Sequence, residues 1–272
     1  MIKSCVTIAL VSEIKKGPWV FWNNLEHSMQ KASELGFDAV ELFTAAADAI
    51  DADKLESLLI KFNLQLAAVG TGAGKVIHGL TLTDQNEEIR KKAISFISDM
   101  ISFGARFGAP AIIGSMQGNA SINLDREQSL DWLGDGLELL GKHAADKGVS
   151  LIYEPLNRYE TNLINTLEIG AAFLESRNIS NVNLLADLFH MNIEEADMTQ
   201  SIHKCAKNIG HVHFADSNRR PIGNGHTDML AIASALKEIN YHGFISAEAF
   251  PWPNEDAAAN QTIIAFNQYF RK

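Results

Sequence analysis

The sequence has little cysteine and a shortage of positive charge, and each shortage excludes a class of protein. Only two cysteines, Cys5 and Cys205, occur in 272 residues. Two are too few for a disulfide framework and suit the reducing cytoplasm, where we expect the protein to reside. Lysine and arginine number 23 against 33 acidic residues, which gives a net charge of −10 at pH 7. Because nucleic-acid-binding surfaces are basic, we expect no nucleic-acid partner.

Long apolar runs and two nucleotide-binding motifs are also missing. No uninterrupted apolar run approaches the roughly 20 residues of a membrane span, and the N-terminus has no apolar signal region, so we expect no membrane association. No Gly-x-Gly-x-x-Gly follows the first predicted strand, which weakens a dinucleotide-binding interpretation. The glycine-rich segment 70–75 lacks the Gly-Lys-Ser/Thr triplet of a phosphate-binding loop. It is predicted to be a flexible loop between a strand and a helix.

What is present is a large apolar fraction, 46%, arranged as alternating strands and helices. The predicted strands are 5–10, 37–43, 64–69, 111–116, 150–154, 182–187, 210–215 and 244–248. The predicted helices are 24–35, 53–62, 85–107, 130–147, 166–175, 199–207, 228–239 and 256–270. Alternation of this kind builds a parallel sheet with helices outside, and eight units fit a closed barrel better than an open sheet. The sequence therefore predicts an α/β fold, a (β/α)8 barrel that spans residues 1–272 as a single domain.

The clearest functional feature is a glutamate at the end of the fifth predicted strand. The apolar segment 151–153 runs directly into Glu154, and Pro155 follows. Because proline has no backbone N–H, the sheet ladder is expected to end there. Glu154 then lies at the C-terminal rim of the barrel, where such barrels carry their active sites. A carboxylate buried in that position needs a partner, since an isolated buried charge is very costly.

Three further side chains that can bind a metal end the next three predicted strands, namely Asp187, His213 and Glu248. Neighbouring strands lie about 4.8 Å apart, so these residues and Glu154 can converge on one ion. Three carboxylates and one imidazole suit Mn²⁺, Mg²⁺ or Co²⁺ better than a structural zinc, which prefers thiolates. His211 points to the same strand face as His213, and which of the two binds stays open. We favour His213 because it is closer to the rim.

Other polar and aromatic residues lie in loops that leave the same rim. Glu160, His190 and Arg219 could bind a polyol, and the planar fork of Arg219 suits a hydroxyl or carbonyl oxygen. Taken singly, each is equally well explained as a solvated loop residue. Three tryptophans could stack on sugar rings or simply pack against the protein: Trp19, Trp22 and Trp252. One further carboxylate, Glu41, also falls near a strand end.

The C-terminal half of the chain resembles a known family. The matching motifs are EPLNRYETN at 154–162, DLFHMNIEE at 187–195, the segment 213–219 and the Pro-x-Gly-x-Gly-His run at 221–226. They resemble the xylose-isomerase-like TIM barrels and, within them, the ketose 3-epimerases of the D-tagatose and D-psicose type. The N-terminal half agrees with that family in pattern only.

The resemblance implies a role for each matched position. The implied ligands of one divalent cation are Glu154, Asp187, His213 and Glu248, and the implied acid/base pair is Glu154 and Glu248. The implied substrate contacts are Glu160, His190 and Arg219. In the implied reaction the metal polarises a ketose carbonyl, one glutamate removes the neighbouring proton, and the other returns a proton from the opposite face. This would be an epimerisation through an enediolate, most simply at C3, whereas transfer on one face would give aldose–ketose isomerisation.

The family leaves other functions open. It includes hydroxypyruvate isomerases, sugar-phosphate epimerases and DNA-repair endonucleases. A metal-dependent phosphodiesterase would need a site of three zinc ions with more histidines, and the acidic charge disfavours DNA. A sugar-binding barrel without catalysis is a third possibility. Few basic residues lie on the predicted rim, which favours a small sugar without phosphate.

One departure from the ketose epimerases concerns the loop after the seventh predicted strand. Asp216 stands where a longer glutamate is expected, which leaves the identity of the sugar open. Barrels of this family often assemble, so a homo-dimer or homo-tetramer is expected.

Overall fold

The structure is a computed structural model that describes residues 1–121 and 125–271. The strands are β1 (Lys3–Leu10), β2 (Phe21–Trp22), β3 (Ala39–Thr44), β4 (Gln65–Gly70), β5 (Ala111–Ile113), β6 (Leu151–Tyr153), β7 (Val182–Asp187), β8 (Ile209–His213) and β9 (Phe244–Ala247). The helices are α1 (Leu25–Leu35), α2 (Ala52–Phe62), α3 (Ala73–His78), α4 (Glu87–Ala105), α5 (Arg126–Asp146), α6 (Leu167–Ser176), α7 (Leu188–Glu194), α8 (Met198–Lys204), α9 (Met229–Glu238) and α10 (Glu255–Phe270).

Eight parallel strands close into a barrel. The order is β1-β3-β4-β5-β6-β7-β8-β9. The barrel closes because β9 pairs with the N-terminal part of β1, from Lys3 to Val6. The short strand β2 pairs with Ile8 and Ala9 at the other end of β1, and so adds to the sheet at the mouth of the barrel. The predicted (β/α)8 TIM barrel is confirmed.

Side chains at the helix N-termini cap the helices and so define where they begin. The residue before each of nine helices accepts a hydrogen bond from a backbone N–H of the first turn, which stabilises a helix by roughly 1 kcal/mol. These residues are Asn24, Asp51, Asn86, Asp125, Thr166, Asp187, Asp197, Asp228 and Asn254. Each helix then buries an apolar face on the barrel, as α2 does with Leu55, Leu58 and Leu59.

The structure differs from the predicted elements in four main places, and the first is the short strand β2, which was not predicted. The segment 70–75, predicted to be a flexible loop, overlaps the start of the short helix α3, whose Ala73 and Gly74 are buried. A second short helix, α7, begins directly after Asp187. Strand β5 ends at Ile113 rather than at 116, and a 3₁₀ turn follows at Ser115–Gln117. Short helices escape a sequence pattern because they contain too few turns to show a period of 3.6 residues.

Side chains alternate between the two faces of each strand, and this alternation points the site residues into the barrel interior. Ala68, Ile112, Ile152 and Leu185 form a buried apolar cluster that is separate from the main core between strands and helices. Two residues beyond Ile152 and Leu185, on the same strand face, lie Glu154 and Asp187. The cluster therefore forms an apolar layer beneath the polar rim.

Two expectations concern the rest of the chain. Cys5 and Cys205 are buried free thiols, as expected of residues outside a disulfide framework. Within the described ranges, every helix is too short or too polar to cross a membrane.

Candidate active site

Four side chains from consecutive strand ends meet at the C-terminal mouth of the barrel. Glu154, Asp187, His213 and Glu248 each offer a donor atom, and these atoms lie within 4.8 Å of one another. Nδ1 of His213 lies 3.1 Å from Asp187 Oδ2, 3.3 Å from Glu248 Oε2 and 3.5 Å from Glu154 Oε1. Glu248 is half-buried and the other three are buried. The structure thus brings together all four residues that the sequence predicts as metal ligands.

These residues fit a divalent cation. Oε1 of Glu154 is buried and accepts no hydrogen bond from any described residue, which is costly for a carboxylate oxygen. The three carboxylates, with the guanidinium of Arg219 beside them, carry two net negative charges. One divalent cation would neutralise that charge and give the orphaned oxygen a partner. A donor set of oxygens with one imidazole nitrogen is of the kind that Mn²⁺, Mg²⁺ and Co²⁺ accept.

Glu154 is held in place through its backbone. Its N–H donates to Ile113 O at 3.0 Å. Its carbonyl oxygen accepts from Gln117 Nε2 at 2.9 Å, and Tyr153 Oη donates to the other end of that amide at 2.7 Å. The carboxylate lies over Gly114, where a Cβ would collide with Glu154 Oε2. The space that the carboxylate occupies therefore depends on glycine at position 114.

Asp187 ends β7 and begins α7. Its Oδ1 accepts from the backbone N–H groups of Phe189, at 2.8 Å, and His190, at 3.2 Å. Arg219 Nη1 donates to both carboxylate oxygens, at 2.7 and 2.6 Å. Burial alone would raise the pKa of Asp187, but Arg219 first, and then His190 and His213, hold that pKa well below its usual range. The carboxylate is therefore ionised at neutral pH.

The second ring nitrogen of His213, on the side away from the metal-ligand cluster, is hydrogen-bonded to a residue to which the sequence assigned no role. Glu41, buried in β3, lies with Oε1 3.1 Å from His213 Nε2 and with Oε2 2.7 Å from His211 Nε2. Burial alone would lower the pKa of His213, but Glu41, Asp187 and Glu154 raise it well above its usual range. The sequence signal for Glu41 was a single carboxylate within an apolar strand.

His190 is oriented by a second residue missed from the sequence. Its Nδ1 accepts from Asn157 Nδ2 at 2.7 Å and from the Asn157 backbone N–H at 3.3 Å. Nε2 must then carry the ring proton. It faces the cluster, 3.8 Å from Glu154 Oε1 and 3.9 Å from Asp187 Oδ2. Glu160 is exposed on the rim, and its Oε1 accepts from the same Asn157 amide at 3.0 Å.

Arg219 reaches the centre of the site. Its guanidinium donates to Asp187 and to Glu248, and it lies 4.9 Å from the centre of the Phe189 ring. Its backbone is left-handed, with φ of 60°, and its carbonyl accepts from Phe250 N at 2.8 Å. The predicted contact of Arg219 with substrate stays a prediction. In this structure the side chain offsets the charge of two carboxylates.

Asp216 has a structural role in this chain. Its carboxylate accepts four backbone hydrogen bonds, at 2.8 Å from Ser217, Gly223 and Gly225 and at 3.0 Å from Thr227. It therefore shapes the loop that follows β8 and carries Arg219. Burial would raise the pKa of Asp216, but these four donors lower it below its usual value.

The cluster opens into a cavity of about 420 Å³. Its apolar walls are the side chains of Trp19, Phe43, Phe189 and Phe250, and Trp19 stacks on Phe43 with ring centres 4.2 Å apart. Trp22 and Trp252 line a neighbouring cavity of about 790 Å³, which Phe250 also borders. An apolar wall facing a few convergent polar groups is the usual form of a small-molecule site. Glu160, His190 and Arg219 line the same 420 Å³ cavity.

Several known proteins share the sequence pattern or the fold of this chain. The family model for the xylose isomerase-like TIM barrel matches residues 29–266. The L-ribulose 3-epimerase of Methylomonas sp. (strain DH-1) is 32% identical over 85% of this chain and 80% of its own length. The 3-dehydro-D-guloside 4-epimerase of Escherichia coli (strain K12) is 26% identical over 90% of this chain and 95% of its own length.

The same fold occurs in a solved structure of a D-allulose 3-epimerase from Methylomonas sp. That structure superimposes with a TM-score of 0.82 at 24% identity, over 99% of this chain and 98% of the other. Since the family model covers most of the sequence, the resemblance seen in the motifs is confirmed. The chain belongs to the xylose isomerase-like TIM barrel family.

Proposed function

We propose that the protein is a divalent-metal-dependent sugar epimerase that inverts a carbon next to a ketose carbonyl, most simply C3. The observation that carries this proposal is the placement of Glu154 and Glu248. They follow β6 and β9, the outer two of four neighbouring strands, while Asp187 and His213 end the two strands between them. Because Glu154 and Glu248 lie at the two ends of this group of four strands, they can approach a bound sugar from opposite sides. Each carboxylate can then transfer a proton on one face of the sugar.

Each residue has a definite task in the proposed reaction. A divalent cation bound by Glu154, Asp187, His213 and Glu248 would supply Lewis-acid polarisation of the carbonyl. One of the two glutamates accepts the proton from the carbon next to the carbonyl, and the other donates a proton to the opposite face. The carbon is inverted because the proton leaves and returns on different sides of an enediolate.

The polar groups around the pair orient the sugar. His190 presents its Nε2–H to the cavity because Asn157 occupies its other ring nitrogen. Arg219 can donate from its guanidinium to a sugar oxygen, and Glu160 can accept from a hydroxyl at the rim. Trp19 and Phe43 line the cavity and offer an apolar surface for the C–H face of a sugar.

The names of the relatives support this reaction class. In L-ribulose 3-epimerase and in 3-dehydro-D-guloside 4-epimerase, the inverted carbon is next to the carbonyl carbon. Inversion of a carbon beside a ketone is therefore the reaction that these names share. Mn²⁺, Mg²⁺ and Co²⁺ are the proposed ions because the donors are mostly oxygens. A cytoplasmic location and a homo-dimer or homo-tetramer belong to the same proposal, and light scattering measures the assembly.

Proton NMR in D₂O tests the proposal. The Mg²⁺-loaded protein is mixed with ketoses, keto-glycosides, ketose phosphates and hydroxypyruvate, and deuterium entry at one carbon beside a carbonyl is the expected result. Glu154→Gln and Glu248→Gln should each lower the rate of epimerisation by at least about 10²-fold, the range of general acid–base catalysis, because inversion needs both carboxylates. Glu138→Gln, at a half-exposed position on α5, is the matched control and should exchange normally. Absence of exchange from every compound, with metal bound, would sink the epimerase proposal and direct attention to phosphodiesters.

A further inference from the structure

Glu41 is buried at the far side of His213, and the two oxygens of its carboxylate are both engaged by histidines. Glu41 is 5% exposed and lines the active-site cavity from β3. Oε1 lies 3.1 Å from His213 Nε2, and Oε2 lies 2.7 Å from His211 Nε2. We infer that Glu41 is a positioning residue that selects which nitrogen of His213 faces the proposed cation. The inference rests on the proposed cation site.

The selection follows from hydrogen-bonding chemistry. An ionised carboxylate only accepts hydrogen bonds, so the nitrogen that faces it must carry a proton. With Glu41 on its Nε2 side, neutral His213 has its proton on Nε2 and its lone pair on Nδ1. Nδ1 is the atom that lies 3.1 to 3.5 Å from the carboxylates of Asp187, Glu248 and Glu154. Glu41 therefore aims the lone pair at the place where those carboxylates converge.

His211 completes the arrangement from one layer deeper. It lies two residues before His213 on β8, and its donor occupies the second oxygen of Glu41. With one histidine on each oxygen, the carboxylate cannot turn without losing a hydrogen bond. The role of His211 in this arrangement is therefore to orient the carboxylate of Glu41 through that hydrogen bond.

A second ion at this place is the competing explanation. Donor atoms of Glu41, His211 and His213 also lie within 4.8 Å of one another. In this trio, however, each carboxylate oxygen is already paired with a ring nitrogen at hydrogen-bond distance, 2.7 or 3.1 Å. The orphaned oxygen lies in the other group, on Glu154. The structure thus assigns one cation to the barrel mouth and a hydrogen-bonded support behind it.

Metal affinity of Glu41→Gln is the first test. The amide of glutamine has one oxygen and one NH₂ group, so it cannot accept from both histidines. Loss of a partner that orients a metal-binding histidine typically weakens metal binding 10- to 100-fold. We expect wild type to bind one Mn²⁺ per chain and Glu41→Gln to bind one Mn²⁺ with an affinity about 10- to 100-fold lower, by chelator competition and calorimetry. His211→Gln should weaken binding less, because its amide can still donate to Glu41, and Glu138→Gln should bind as wild type.

A ¹⁵N spectrum of the histidine rings in Mg²⁺-loaded wild type gives a readout that does not depend on a variant folding. The ring of His213 should carry its proton on Nε2, and a proton on Nδ1 would overturn the inference. A folded Glu41→Gln with wild-type affinity would overturn it as well. Two ions in wild type and one in the variant would show that Glu41 is itself a ligand. Wild type that binds no divalent cation would instead refute the cation site, and with it the proposed function.

Discussion

Replacement of Gly114 by alanine should damage the site through one methyl group. Gly114 follows β5, and a Cβ there would collide with Oε2 of Glu154. The backbone of Glu154 cannot move aside easily, because its N–H is bound to Ile113 and its carbonyl to Gln117. The Gly114 carbonyl also accepts from Gln117 Nε2 at 3.0 Å, which ties the two strand ends together. The carboxylate of Glu154 is then the group that must shift.

The size of the effect follows from that shift. Displacing a catalytic group by about 1 Å can lower the rate about 10²-fold, equivalent to roughly 2.7 kcal/mol. An extra methyl in a packed interior typically lowers the free energy of unfolding by about 1 to 3 kcal/mol. We therefore expect Gly114→Ala to lower kcat/KM about 10²-fold and to weaken Mg²⁺ binding, because Glu154 is also a proposed metal ligand.

The assay compares Gly114→Ala with a glycine at which an added methyl group would be less crowded. Gly136 lies in α5, where the three atoms nearest to an added Cβ belong to the side chain of Leu82, at 3.3 to 3.7 Å, so that flexible side chain would need to move only slightly. Alanine is also the better helix former, so Gly136→Ala should keep wild-type activity and stability to within about 1 kcal/mol. Deuterium exchange gives the activity and urea denaturation gives the free energy of unfolding. Activity of a folded Gly114→Ala within about threefold of wild type would refute the proposed crowding of Glu154.

Two further predictions concern residues that support the site. Asn157→Ala removes the side-chain amide that donates to His190 Nδ1 and to Glu160 Oε1. We expect kcat/KM to fall about tenfold or more and the free energy of unfolding to fall by about 1 kcal/mol. Unchanged kinetics would show that His190 needs no such orientation. Asp216→Asn puts an NH₂ group against backbone donors and should destabilise the loop by about 1 to 3 kcal/mol at pH 7. Because the pKa of Asp216 is lowered in the folded protein, its contribution is fully present above the unfolded pKa of about 4 and is lost as the pH falls from there through the lower pKa of the folded state. Urea denaturation from pH 7 to pH 3 should show the wild type and Asp216→Asn converging at low pH, and a constant gap would contradict this.

Local patterns were enough to predict the barrel and most of its elements. Strand β7 has the predicted bounds, and most other predicted elements start and end within a few residues of the observed ones. The reason is that each strand and helix buries one face, so its period is written into contiguous residues. The helices α3 and α7 were missed because each is short and depends on what it packs against.

The four predicted metal ligands came together because of a property of parallel barrels. Strand ends in a parallel barrel all meet at one rim, so a residue type at the end of a strand predicts where that residue lies. This placed Glu154, Asp187, His213 and Glu248 in one cluster without any knowledge of contacts. It did not decide between His211 and His213, because both share a face of β8. The register between β7 and β8, which puts Asp187 opposite His213, decides which histidine lies at the level of the carboxylates.

The sequence alone therefore determined the fold, the rim and the kind of donor atoms at that rim, since these depend on local periodicity and on strand ends. Only the tertiary structure showed that Glu41 contacts His211 and His213, that Asn157 donates to the ring of His190, and that Gly114 leaves space for Glu154. Glu41 and His211 lie 170 residues apart in the chain, yet their side chains are 2.7 Å apart in the barrel. Contacts of this kind depend on the closure of the barrel and on side-chain packing across it, and no pattern within a single strand or helix records them.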